Sequence, residues 1–78
     1  MKAPTREELL AQQRVALRDA QAYAQLRVAL GQMHDAAVMR GAKIEAEQYR
    51  HQIHSAVDSY LDATARFTEL ARALFITP

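Results

Sequence analysis

In the first half of the chain, Tyr23, Leu26, Leu30, Met33 and Ala37 recur at steps of three and four residues. At about 100° per residue those steps keep side chains on one side of an α-helix, so the positions predict a packing stripe. The second half carries a cleaner version through Tyr49, Ile53, Ala56, Tyr60, Ala63, Phe67, Leu70 and Leu74. Two amphipathic helices follow, each facing the other with its own stripe.

Punctuation sets their limits. Thr5 with Glu8 forms a Thr-x-x-Glu capping box, and Glu7 and Glu8 suit the positive end of a helix dipole, so helix 1 is expected over about 5–40, after an extension at 1–4. From Glu7 to Arg40 there is no proline, and alanine, leucine, glutamine and arginine favour the helix. Gly31 falls inside the stripe without a phase break and reads as a close-contact position. Gly41 stands where the pattern lapses, as a glycine does when it ends a helix in the left-handed conformation. A turn at about 41–44 and helix 2 at about 45–76 complete a single helical-hairpin domain, 5–78. Two helices of matched length, roughly 45–50 Å each at 1.5 Å per residue, predict an antiparallel, coiled-coil-like hairpin of the all-α class. The alternative is one continuous helix through Gly41, because Ala42 to Gln48 favour helix and helix 2 lacks a Ser, Thr or Asp cap.

Each helix has more apolar surface than one neighbour can cover. Leu10, Leu17 and Val28 lie well round from the helix 1 stripe, with Ala24 beside them, and Val57, Leu61 and Phe75 flank the helix 2 stripe. The near-heptad spacing of 10, 17 and 24 suggests a second seam, whose first expected use is a homodimeric four-helix bundle and whose second is a hetero-complex.

Composition sharpens this picture. A chain of 78 residues has little room for a private core, and without cysteine it has neither a disulfide nor a thiolate metal site, which leaves partner helices as the common remaining support. The apolar residues are broken up by charges, so no run approaches the roughly 18 needed for a membrane span. The N-terminal residues offer no apolar segment of a secretory signal, and a cytoplasmic location is expected. Ten basic and nine acidic residues are interspersed, which lacks the basic patch of a nucleic-acid binder.

Candidate chemistry is sparse. Glu47, His51, His54 and Asp58 share one side of helix 2 at spacings that can ligate zinc or nickel, but that side is expected to face water without supporting groups, so no metal or other cofactor is assigned. Ser55, His51 and Asp58 lack a pocket to hold a substrate, and no catalytic residues are assigned. Arg14 and Arg18 share a face with Gln21, Gln25 and Gln32, a solvated surface that could also meet an acidic partner.

One stretch carries a resemblance: Leu26-Arg27 with Leu30, then Arg40-Gly41-Ala42 as a turn, and Glu47-Gln48-Tyr49 opening the second helix. Covering about a third of the chain, it resembles the small helical-hairpin co-chaperones of bacterial type III secretion systems. The resemblance implies a cytoplasmic protein that supports a larger chaperone by protein contact, without catalysis. Phage-encoded inhibitors and antitoxin-like proteins share the same size and composition. The function expected is a non-catalytic protein–protein interaction module that binds, stabilises or inhibits a partner. The alternative is a metal-responsive or nucleic-acid-associated helical regulator.

Overall fold

The computed structural model describes residues 2–77 and consists of two α-helices, α1 (Arg6–Met39) and α2 (Lys43–Ile76), of 34 residues each. They pack side by side as an antiparallel hairpin of 57 × 19 × 15 Å. Met1 and Pro78, assigned from sequence to the extension and to the end of the hairpin domain, lie outside the described residues.

Local chemistry accounts for the ends. The Thr5 hydroxyl oxygen accepts the Glu8 backbone N–H at 3.2 Å, satisfying a donor that the first turn leaves free. The Glu8 carboxylate returns to the Thr5 hydroxyl at 3.2 Å, where the capping box anticipates the Thr5 backbone N–H. At the turn, Gly41 adopts φ +73°. The Gly41 N–H donates to Val38 O and the Ala42 N–H to Ala37 O, the paired bonds of a Schellman motif. This reversal rules out the continuous helix. It also shortens the connection: α2 begins at Lys43, two residues before the expected Glu45, with Ala42 as an N-cap that makes no side-chain bond. At the open end Arg6 donates to the carbonyls of Leu74 and Thr77, each at 3.2 Å, so the first turn of α1 caps the last turn of α2.

The core differs from the expected stripes on α1. Leu9, Ala16, Leu30 and Ala37 are buried, with Tyr23 half-buried between them, and all five lie at steps of seven. Opposite them Ala46, Ala56, Ala63 and Leu74 are buried, and Tyr49, Ile53, Phe67 and Leu70 are half-buried. Leu26 and Met33, expected in the core, are 45% and 46% exposed, and Tyr60 is 39% exposed. The physical reason is the spacing of alanines. Small side chains at Ala16, Ala37, Ala46, Ala56 and Ala63 let the two backbones approach closely. The seam of α1 thus follows the seven-residue column Leu9, Ala16, Tyr23, Leu30 and Ala37 and leaves Leu26 and Met33 on one flank.

Among the described residues no large side chain is fully buried. An alanine methyl contributes about 0.8 kcal/mol on burial, against about 1.5–3 for a whole leucine or phenylalanine side chain. The seam therefore combines small contributions from its alanines with larger ones from the nearly covered Leu9, Leu30 and Leu74. Gly31 also departs from expectation: a Cβ built there meets nothing within 4 Å, so the glycine is not a close-contact position between α1 and α2.

Candidate functional site

A flat hairpin has two broad faces, and this one presents different chemistry on each. One face is identified by the ion pair that crosses the seam, Arg66 Nη2 to Asp19 Oδ2 at 3.4 Å. Across the turn, Arg40 pairs with Glu45 at 2.8 Å. On the Asp19 face α1 contributes apolar side chains, Val15, Leu26 and Met33, while α2 answers with Gln52, Ser55, Ser59, Arg66 and Glu69. A shallow groove near the open end, lined by Ala11, Gln12, Val15, Ala16, Leu70 and the stems of Arg66 and Glu69, opens to solvent.

The opposite face holds the residues singled out as a second seam. About 100° round α1 from Leu9, Ala16 and Leu30, away from Asp19, comes the heptad column Leu10, Leu17, Ala24, Gly31 and Val38. On the matching flank of α2 stand Val57 and Leu61, with Phe75 near the open end. Leu10 and Val57 are half-buried, Leu61 is 57% exposed and Phe75 is 92% exposed. On α1, Leu10 and Leu17 share one column, while on α2 Leu61 and Phe75 share a column with Glu47, His54 and Thr68 at steps of seven, with Val57 beside it. Val28 is set apart on the outer side of α1 beside Ala24, Gln25 and Gln32. Sequence reasoning passed over Val38, Met39 and Ile44, all exposed at the tip of the hairpin. Their signal was weak, because they flank the glycine turn where the helical period lapses.

The polar candidates are placed on the outside of α2. Glu47, His51, His54 and Asp58 are exposed, and the closest approach between the Glu47 carboxylate and the His51 ring is 3.6 Å. Among the described residues no three such side chains converge into a cluster that could hold a metal ion. His34 is half-buried on α1, with its Nδ1 3.3 Å from the Asp35 carboxylate. Ser55 lies near Gln52 and Ser59 in a shallow depression, while His51 is engaged with Glu47. Arg14, Arg18, Gln21, Gln25 and Gln32 are all exposed along the outer side of α1.

Among the described residues no helix is long and apolar enough to cross a membrane. Compared with known protein families, with characterised proteins and with solved structures, the chain matches none of them.

Proposed function

We propose that the protein is a non-catalytic interaction module whose working surface is the face carrying Leu10, Leu17, Val57, Leu61 and Phe75. The observation that carries this reading is an excess of surface. A compact monomer of this size exposes about 4,800 Å². The hairpin exposes 6243 Å², a surplus of roughly 1,400 Å² by that scaling. Stable interfaces take about 800 Å² from each partner, so covering this one face would take up a little over half of the surplus and add apolar burial to that of the seam. In this reading the module works in the cytoplasm by holding, stabilising or inhibiting the protein that covers the face, as a secretion co-chaperone or a phage-type inhibitor does.

The test is to substitute Leu17→Asp and Leu61→Asp, and to measure helicity and association or partner capture on the same samples. Helicity is expected to persist in large part while binding is lost, because both positions lie outside the α1–α2 seam. Variants that associate and capture protein as the parent does would overturn the reading.

A further inference from the structure

Resting on that reading, we infer that the occupant of the face is an amphipathic helix of an acidic partner protein, with its apolar side over Leu10 and Leu17 and its carboxylates over Arg27 and Arg50. The charges carried by the columns that border the seam point to it.

Asp19 and Arg66 each follow a buried alanine, Ala16 or Ala63, by three residues, and their ion pair places both on one face. Leu17 and Thr64 follow the same alanines by one residue, so they share the opposite face. On α1 this opposite face is built from the column Leu10, Leu17, Ala24, Gly31 and Val38, with Gln13, Ala20, Arg27 and His34 lying between it and the buried column. Gln13, Ala20 and His34 are half-buried, as positions beside the seam are. On α2 the matching column is Lys43, Arg50, Val57, Thr64 and Ala71, in which Val57 and Ala71 are half-buried.

These columns contain no aspartate or glutamate, but they do contain Arg27, His34, Lys43 and Arg50. The face is cationic. Other cations of the hairpin are matched, Arg66 by Asp19 at 3.4 Å and Arg40 by Glu45 at 2.8 Å. Among the described residues Arg27 and Lys43 have no carboxylate within ion-pair distance. Arg50 reaches Glu47, on the outer side of α2, at 3.9 Å with both side chains more than half exposed, a loose pair that an incoming carboxylate can displace. Because Asp19 stands level with Arg66 and Arg40 with Glu45, Arg27 is level with Val57 and His34 with Arg50. Arg27, His34 and Arg50 therefore fall within about 10 Å of one another along the rod, in the tip half.

The open half of the same face is apolar, with Leu10, Leu17, Ala20 and Ala71. Between the halves the α1 column falls to Ala24 and Gly31, and nothing lies within 4 Å of where a Gly31 Cβ would stand. A helix laid along the column can come close there, which brings its flanking side chains within reach of Arg27 and Arg50. The complement is a helix with apolar positions at steps of three and four and an acidic flank. Such a partner is steered by the cationic half and buried against the apolar half. A second copy pressed face to face has no carboxylate in these columns to offer.

Two synthetic peptides of about 20 residues, roughly 30 Å long as helices, serve as probes: one with leucines at steps of three and four and glutamates beside them, the other with lysine in place of each glutamate. In fluorescence anisotropy the glutamate peptide is expected to bind tighter by about tenfold or more, with the gap narrowing in high salt. Arg27→Glu and Arg50→Glu should each weaken it by about tenfold and strengthen the lysine peptide, with helicity unchanged. Arg18→Glu and Arg72→Glu make the same change of net charge at exposed positions outside these columns and should leave both affinities within about twofold. Equal affinity for the two peptides, or equal effects of the two sets of reversals, would overturn the acidic occupant. Binding of phosphatidylserine vesicles or duplex DNA in place of the peptide, lost on Arg27→Glu, would overturn it as well, and so would a dimer of the chain that buries Leu17 and excludes the peptide. In each of these cases loss of association or capture in Leu17→Asp and Leu61→Asp would leave the interaction reading standing. Only Leu17 and Leu61 variants that behave as the parent in every assay would overturn both.

Discussion

Val15 and Leu17 are two residues apart on α1 and equally exposed, at 45%, yet they belong to opposite faces of the hairpin. Val15 looks across to Arg66 and Glu69 in an open groove, where α2 offers no large apolar partner except the half-buried Leu70. Leu17 lies on the side where α2 presents Val57 and Leu61. The lesson is that exposure of a single apolar residue says little, since apolar atoms make up much of any protein surface. What distinguishes an interaction face is that neighbouring elements both contribute large apolar residues to it.

The severest way to break the comparison is to remove the layer beneath both faces. Leu30→Asp buries a charge in the seam at a cost of several kcal/mol, and circular dichroism should show loss of most helicity at 25 °C. Phe67→Asp, at a half-buried seam position, should act in the same direction but less completely. These variants calibrate what a folding defect looks like. The matched pair comes next: Leu17→Asp should weaken association or partner capture by about a hundredfold or more, because a carboxylate would enter the proposed apolar interface. Val15→Asp should cost at most about 1 kcal/mol of stability and leave association unchanged in sedimentation. Equal effects of the two would dissolve the distinction between the faces.

Smaller effects sharpen it. Gly41→Ala should destabilise the hairpin by about 1 kcal/mol or more in chemical denaturation, since a Cβ is penalised at φ +73°. Gly31→Ala should do the opposite within one hairpin and raise helix stability by about 1 kcal/mol, as the site is helical and open. The smallest change is expected from Asp19→Asn. It removes a partly exposed ion pair with Arg66, and its effect on stability in chemical denaturation should stay within a few tenths to about 1 kcal/mol and shrink in high salt.

Much of the fold was legible because it is local. The N-cap at Thr5 depends on a side chain and a backbone N–H three residues away, and the turn at Gly41 depends on a conformation that glycine adopts without penalty. The bounds of α1 accordingly fall within a residue of those read from the pattern, and α2 ends at the expected Ile76. The start of α2 was less legible because no capping side chain marks Ala42.

By itself the sequence determined two long helices, the residue at which the chain reverses, and a supply of apolar side chains too large for one seam. Tertiary structure alone decided which column of α1 forms the seam and which residues share a face. Apolar positions occur nearly all round α1, so helical angle placed Leu30 and Ala37 on the stripe but could not rank Leu9 and Ala16 above Leu26 and Met33. The choice arises only when a second backbone must pack closely against the first. Leu9, Leu30 and Leu74 are then enclosed together with five alanines, while Leu26 and Met33 are left on a flank.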